Sequence, residues 1–340
     1  MGGYAHEKEV ITVRQRSIAA LSAAALSVLV LAGCSSDSEP AADDATPSAE
    51  TTEAPADLCE SAAPGGDDID AVEVSGEFGS EAKVSFDAPL ELSEIERSVI
   101  TEGSGDELEA GEYITYAATV YDAETGEKVG TEGYDELSAL PASVQANNIF
   151  GMALGCATPG TRVAFTFPGQ TAQDGTTMAS QVYVLDFLDR AETQAWGEPQ
   201  DAPEGLPAVE LSDDGEPTVT IPDGLDVPKE TEVATLLEGD GETVTEGDTV
   251  FLQYKGVKAS DGEEFDSSWS RGAPTALPAT AGPGGVVEGF AKAMIGQKVG
   301  SQVIAVIPKA EGYGESEGHE LQDEDLIFVV DVLGTMHAAE

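Results

Sequence analysis

The sequence is poor in basic residues, with 15 lysines and arginines against 65 aspartates and glutamates in 340 positions. The resulting formal charge of -50 excludes non-specific nucleic-acid binding, which needs a basic surface, and argues against electrostatic docking on anionic lipid. Histidine is also scarce, with three residues and no paired spacing, so we expect no metal site. Self-repulsion between such acidic surfaces makes a monomer the expected state.

Long hydrophobic runs are missing except for Ile18–Leu31, whose 14 residues fall short of the roughly 20 that span a bilayer. Two arginines precede this run and the sequence LAGC follows at 31–34, a pattern typical of a secretory signal. A true translation start nearer Val13 stays open. An ordinary secretory signal or an uncleaved anchor are the alternatives to the lipid-modified form considered next.

The cysteine directly after Leu-Ala-Gly resembles a bacterial lipoprotein box. The resemblance implies that residues 1–33 are a removed signal peptide and that Cys34 carries a lipid. It also implies that the mature chain lies outside the cytoplasm, anchored to the outer face of the bacterial cell membrane.

Only two further cysteines occur, Cys59 and Cys156. Export would place both in an oxidising compartment, where disulfides persist. Because two cysteines allow one pairing, we predict a Cys59–Cys156 disulfide; two buried free thiols are the alternative.

Composition also suggests where the chain is divided. Residues 34–67 are rich in Ser, Asp, Glu, Ala, Thr and Pro, with little to bury, and predict a disordered acidic linker. Three prolines with acids between them in Gly197–Pro207 predict a second linker, placed at 193–207.

The two halves of the chain repeat each other. The matching segments are 71–91 with 208–226, 98–127 with 234–263, 151–168 with 291–308, and 182–188 with 327–333. We therefore predict two copies of one domain, the first copy at 68–192 and the second copy at 208–340.

Within each copy the pattern is mostly that of β-strands. In the second copy, alternation or β-branched runs predict strands at Thr249–Val257, Gln302–Ile307 and Leu326–Leu333. Asp261-Gly262 predicts a hairpin turn. Helical spacing over Val287–Ile295, followed by Gly296, predicts one short amphipathic helix. The expected class is α+β, with an antiparallel sheet wrapped around a short helix in each copy.

Six segments of the second copy, in order, resemble FKBP-type peptidyl-prolyl cis–trans isomerases. They are EGDG (238–241), GDTVFLQYKG (247–256), DGEEFDSSWSRG (261–272), GVVEGFAKAMIGQKVGS (285–301), IPKAEGYGE (307–315) and LIFVVDVL (326–333). The resemblance covers the second copy fully and the first copy only as a fold.

The resemblance implies a prolyl pocket formed by Tyr254, Phe265, Asp266, Val286, Val287, Phe290, Tyr313 and Phe328. It implies that the Val287 N–H and the Tyr313 hydroxyl donate to substrate carbonyls, and that Asp266 acts electrostatically. Arg271 is expected near that acid, and Trp269 in the loop beyond it. Without the resemblance, the sequence pattern favours Phe290 and Phe328 as hydrophobic core, and Asp266 with Arg271 could be a surface pair.

The chemistry implied needs no nucleophile, metal or other cofactor. Rotation about a peptide bond breaks amide resonance, at a barrier of roughly 18–20 kcal/mol, so catalysis requires preferential binding of the twisted amide. The expected function is isomerisation of X–Pro bonds in exported proteins, with proline-containing polypeptides as clients and macrolide inhibitors as candidate ligands. The alternative is a non-catalytic surface chaperone that holds extended clients.

Two departures from the family pattern carry expectations. In the first copy, Ala118, Val129 and Gly130 stand where the second copy has its tyrosine, phenylalanine and aspartate, so we expect the first copy to be inactive. In the second copy, the loop GESEGHELQDED (314–325) is acidic and proline-free, which favours basic or polar residues beside the substrate proline.

Overall fold

The computed structural model describes residues 57–134, 139–171, 175–201, 203 and 205–338. Cys34 and the predicted signal peptide lie outside these ranges. Within the ranges, no helix is long and apolar enough to cross a membrane. Strands dominate and the longest α-helix has seven residues, which confirms the prediction of a sheet-dominated fold with few helices.

The N-terminal half forms an antiparallel sheet of six strands. Its order is β3-β7-β10-β4-β5, with β6 paired to β4. The elements of this half are α1 (Leu58–Ser61), α2 (Asp67–Asp70), β1 (Glu73–Ser75), β2 (Lys83–Ser85), β3 (Arg97–Thr101), β4 (Tyr113–Asp122), β5 (Lys128–Glu132), β6 (Ala142–Ser143), α3 (Ile149–Leu154), β7 (Arg162–Phe167), β8 (Gln170–Thr171), β9 (Thr177–Met178) and β10 (Gln181–Arg190).

The C-terminal half forms a seven-stranded antiparallel sheet. Its order is β11-β14-β18-β19-β15-β16, with β17 paired to β15. The elements are β11 (Glu198–Pro199), β12 (Ala208–Leu211), β13 (Pro217–Thr220), β14 (Glu232–Glu238), β15 (Thr249–Lys258), β16 (Glu264–Ser267), β17 (Thr275–Pro278), α4 (Glu288–Met294), β18 (Gln302–Ile307), a 3-10 turn (Lys309–Glu311) and β19 (Leu326–Met336).

Strand β18 shows why this sheet is apolar on both faces. Val303, Ala305 and Ile307 point into the core that also holds α4. Ile304 and Val306 point the other way, into a second core covered by the hairpin β12–β13. Because side chains alternate between the two faces of a strand, burial on both faces produces the continuous apolar run seen in the sequence.

Helix α4 lies on the inner face of this sheet and starts the site. Val287 is its N-cap, and the chain leaves the helix through Ile295 before Gly296, whose φ of +86° is a conformation that favours glycine. Phe290, Ala293 and Met294 are buried against the sheet. The predicted range Val287–Ile295 is therefore one residue too long at each end, and those two residues are the caps.

The predicted disordered linker at 34–67 is wrong for the residues near its C-terminal end. Asp57 caps α1 by accepting from the backbone N–H of Cys59, and Leu58 is buried in the hydrophobic core of the N-terminal half. Cys59 and Cys156 are joined in a disulfide. The Glu107 carboxylate lies close to the two sulfur atoms, and the three groups together have the spacing of metal ligands. Both sulfurs, however, are bonded to each other in the disulfide.

Part of the predicted linker at 193–207 is also ordered. Glu198 and Pro199 form β11 on the edge of β14, and the Trp196 ring lies against Gly300. The sequence of this strand shows no hydrophobic pattern. It is a strand because it forms hydrogen bonds with the edge strand β14, and a sequence pattern does not reveal this pairing.

Candidate active site

Three aromatic rings from three elements form the floor of a cavity of about 630 Å³. Tyr254 comes from β15, Phe290 from α4 and Phe328 from β19, and all three are at most 7% exposed. The Phe290 and Phe328 ring centroids are 4.8 Å apart, and the Tyr254 centroid lies 5.5 Å from the first and 6.1 Å from the second. The rings belong to the hydrophobic core and also line the cavity, so the core interpretation and the pocket interpretation of Phe290 and Phe328 are compatible.

Phe265 supports the floor from behind. Its ring meets Phe328 edge-on at 5.4 Å, but it does not itself line the cavity. The two rings close over Gly256, where a Cβ atom would lie 2.7 Å from each of them. A glycine is therefore needed at this point of β15 for both rings to keep their positions.

A carboxylate, a phenol and a guanidinium meet at one wall of the cavity. The Tyr254 hydroxyl donates to Asp266 Oδ2 at 2.5 Å, and Arg271 donates to the Tyr254 oxygen at 2.8 Å and to Asp266 Oδ1. The Arg271 guanidinium also lies 5.2 Å from the Tyr254 ring centroid. Burial and the hydrogen bond to Asp266 raise the pKa of Tyr254 to about 12, so its hydroxyl stays protonated. The cluster fixes the direction of the Asp266 carboxylate.

Two donors remain without partners. Neither the backbone N–H of Val287 nor the hydroxyl of Tyr313 has an acceptor among the described residues. Burial, with the nearby charge of Asp266, raises the pKa of Tyr313 and keeps its hydroxyl a donor at neutral pH. The His319 ring stacks on Tyr313 with centroids 4.0 Å apart. Both donors border the cavity, where a bound carbonyl could accept from them.

The structure also shows which predicted residues lie elsewhere and which lining residues the sequence did not single out. Val286 lines the cavity, but Trp269 and Arg271 do not. The lining residues missed were Leu277, Ala281, Gly282, Gly285, Glu288, Ala310, Glu311, Gly312, Glu315 and Ser316. Several lie inside the quoted motifs, whose order could have pointed to them.

Glu311 shows what one of these missed residues does. It accepts from Thr231 through the backbone N–H at 2.9 Å and the hydroxyl at 2.6 Å, and it pairs with Lys292 at 2.8 Å. Burial alone would raise its pKa, but the hydrogen bonds from Lys292 and Thr231 lower the pKa of Glu311 to about 2. Glu311 therefore stays charged and ties the 3-10 turn to α4.

The first copy lacks the polar cluster at the equivalent place. Strand pairing puts Gly130 opposite Val120, as it puts Asp266 opposite Gly256, so the sequence alignment and the register agree. An aromatic contact is retained in a different form. The ring of Tyr116, two residues before Ala118 in β4, packs on Phe150 with the ring centroids 4.9 Å apart.

The second-copy arrangement can bind an apolar ring and hydrogen-bond two carbonyls without any reactive nucleophile. A planar amide carries more charge separation than a twisted one. A dry aromatic floor solvates this charge separation poorly, so it favours the twisted amide over the planar one. Fixed donors on the rim can then hold the flanking peptide groups while the bond turns.

Comparison with known proteins identifies the same region. Residues 240–333 match the family model described as FKBP-type peptidyl-prolyl cis-trans isomerase. An FK506-binding protein from Streptomyces anulatus is 38% identical over 120 residues, which are 34% of this chain and 94% of the relative. FK506-binding protein 1A from Neurospora crassa is 35% identical over 121 residues, 34% of this chain and 93% of the relative.

Among solved structures, FkpA from Escherichia coli is 27% identical, with a TM-score of 0.29, and the match covers 38% of this chain and 53% of that chain. The relative from Streptomyces anulatus is matched along nearly its whole length by a contiguous third of this chain. The chain therefore belongs to the family of FKBP-type peptidyl-prolyl cis–trans isomerases.

Proposed function

We propose that the second copy is an active peptidyl-prolyl cis–trans isomerase. The observation that carries the proposal is the cavity in which three aromatic rings, the Asp266 carboxylate and two unpartnered donors face the same space. The X–Pro bond suits such a site because its cis and trans forms lie within about 0.5–1 kcal/mol of each other. A site that favours the twisted amide can therefore speed both directions.

In this mechanism the proline ring rests on Tyr254, Phe290 and Phe328. The Val287 N–H and the Tyr313 hydroxyl hold the carbonyls on either side, and Asp266 acts on the amide through its charge. No bond is made or broken, so the residues contribute by positioning and by the polarity of the site.

Full-length protein and three variants test the proposal. Isomerisation of a proline tetrapeptide is followed by protease-coupled cleavage, and we expect Phe290→Ala and Asp266→Ala to lower kcat/KM by tenfold or more, roughly the loss of 1.4 kcal/mol of transition-state binding. The matched control is Phe150→Ala, the equivalent ring in the first copy, which should leave the rate unchanged. Wild-type protein that leaves the slow uncatalysed rate unaltered would instead favour the non-catalytic chaperone.

We also propose that the first copy is not catalytic, supported by Ala118 and Gly130 at the positions of the tyrosine and aspartate. In the full chain that carries Asp266→Ala and Phe290→Ala, adding Phe150→Ala in the first copy should lower the remaining turnover no further, and a further drop would contradict this. Because relatives are named for binding FK506, we propose that this macrolide occupies the second-copy cavity, so inhibition of the wild-type rate by FK506 is the corresponding measurement.

We further propose an exported, lipid-anchored protein that assists the folding of other exported proteins. The lipoprotein-like sequence ending at Cys34 and the Cys59–Cys156 disulfide support this location, because disulfides persist in oxidising compartments. Labelled palmitate should be incorporated into the wild-type protein in cells and not into Cys34→Ala. Equal labelling of both would contradict the anchor.

A further inference from the structure

We propose that Glu315 makes the cavity selective for substrates with a lysine or arginine next to the proline. The inference rests on the proposed function, since it concerns the peptide that the same cavity receives. It names a substrate class by charge, which the aromatic floor alone cannot distinguish.

All the charged side chains that line the cavity are carboxylates. They are Asp266, Glu288, Glu311 and Glu315, and no lysine or arginine lies among the lining residues. A peptide entering this cavity therefore meets acidic groups around an apolar floor. Glu317 and Glu320, exposed in the same loop as Glu315, add to the negative field outside the rim.

Three of the four carboxylates already have a cationic partner within the chain. Asp266 is paired with Arg271. Glu288 and Glu311 share Lys292, whose Nζ lies 2.9 Å from the first and 2.8 Å from the second. Each of these three acids is thus held in an ion pair within the site.

Glu315 is different, because its carboxylate has no ion-pair or hydrogen-bond partner among the described residues. It is exposed to solvent and still lines the cavity. Among the described lining residues, Glu315 is therefore the one carboxylate with no partner in the chain, and it can pair with a cationic side chain of the substrate.

The backbone around Glu315 is held in place on both sides. Gly314 donates its N–H to the carbonyl of Lys309 at 2.7 Å, and Ser316 donates to the carbonyl of Tyr313 at 2.9 Å. The ring of His319 stacks on the ring of Tyr313, which joins the two ends of the segment that contains Glu315. The backbone that carries Glu315 is consequently fixed two residues from Tyr313, and both residues line the cavity.

The size of the effect follows from exposure. An exposed ion pair contributes little, roughly 0.2–1 kcal/mol, so we expect a preference of about two- to fivefold in kcat/KM for lysine over leucine beside the proline. Glutamate at the same substrate position should be slower than leucine by a similar factor. Salt should reduce the preference, because the Debye length falls from about 10 Å at 0.1 M to about 3 Å at 1 M.

The experiment uses the full chain and acetyl-capped proline tetrapeptides with lysine, leucine or glutamate, placed before the proline in one series and after it in another. NMR exchange gives the isomerisation rates without a protease, and NMR titration of the same peptides gives their affinities. In Glu315→Gln the ratio of lysine to leucine rates should fall towards one, and in Glu315→Lys it should invert. Glu317→Gln removes the same charge from the same loop outside the cavity, and should keep the wild-type ratio.

Equal rates for lysine and leucine peptides in wild-type protein, in both series, would overturn the proposal. So would an equal loss of preference in Glu315→Gln and Glu317→Gln, since that would indicate a diffuse surface field. If no peptide is turned over, the proposed enzymatic function fails, and the titrations still decide the charge preference by the same ratios.

Discussion

Replacing Asp331 by asparagine should stabilise the second copy at neutral pH. Asp331 is 2% exposed and has no cationic partner among the residues that the structure describes. It accepts from the backbone N–H of Ala195 at 2.9 Å and from Gln302 Nε2 at 2.8 Å. Burial raises the pKa of Asp331 from 3.8 to about 6, and these two hydrogen bonds oppose the rise.

The magnitude follows from that shift in pKa. The rise from 3.8 to about 6 corresponds to about 3 kcal/mol, at about 1.4 kcal/mol for each pKa unit. The folded state binds this proton more tightly than the unfolded state does. The stability that the folded state gains from binding this proton is therefore fully present below about pH 4 and is lost as the pH rises through about 6. Asparagine never carries the charge, so its advantage over aspartate should grow by about 3 kcal/mol between pH 4 and pH 7.

Asparagine also fits the local hydrogen bonds. Its carbonyl oxygen can accept from the Ala195 N–H, and its amide can donate to Gln302 once the Gln302 amide turns over. The asparagine then keeps one hydrogen bond to Ala195 and one to Gln302.

The assay is urea unfolding followed by tryptophan fluorescence, because both tryptophans of the chain, Trp196 and Trp269, belong to the C-terminal half. Unfolding free energies of wild type and Asp331→Asn are compared at pH 4.5, 5.5 and 7.0. The difference between the two proteins removes the titration of the many other carboxylates. A variant less stable than wild type at pH 7, or a difference that does not change with pH, would refute the reasoning.

Three further changes test the packing. Arg162→Ala leaves the buried Asp186 unpaired and should destabilise the first copy by about 3–5 kcal/mol, measured by hydrogen exchange of its strands with the tryptophan transition unchanged. Cys59→Ala opens a link across 97 residues and should cost the first copy up to about 4.7 kcal/mol in calorimetry; an unchanged melting temperature would contradict this. Gly256→Ala places a methyl group against two phenylalanine rings and should lower kcat/KM along with about 1–3 kcal/mol of stability; wild-type kinetics would count against the tight contact.

Local sequence signals located the elements that carry the site. Glycine after an amphipathic stretch located α4, and Asp261-Gly262 located the turn before β16, where Gly262 has a φ of +77°. These features depend on nearest neighbours in the chain. The site residues themselves were recognised from the order of family motifs, which also supplied the cluster around Asp266.

Contacts between distant segments were harder to predict. Trp269 lies inside the motif that holds Asp266, yet it does not line the cavity, because the turn after β16 carries it away from the floor. The sequence shows seven acids in 311–325 but cannot say that Lys292 neutralises one of them from another element. Which carboxylate stays available therefore depends on tertiary pairing.

The repeat also shows how the same structural problem is solved in two ways. Each copy must fasten the segment that enters it. In the first copy α1 is held by the Cys59–Cys156 disulfide, and Arg97 donates to the carbonyl of Ala63. In the second copy the entering chain forms β11 on the sheet edge, and Ala195 donates to Asp331.

These two attachments respond to different conditions. Reduction breaks the first. The second ends on a buried carboxylate, and the cost of burying its charge lowers the stability of the folded second copy as the pH rises. Gln302 and Asp331 occupy the places that Arg162 and Asp186 hold in the first copy, where a buried guanidinium compensates the acid. With glutamine instead of arginine, the second copy keeps the acid without its counter-charge. The replacement of a buried arginine by glutamine at this place is thus the physical reason why we expect the stability of the C-terminal half to fall as the pH rises.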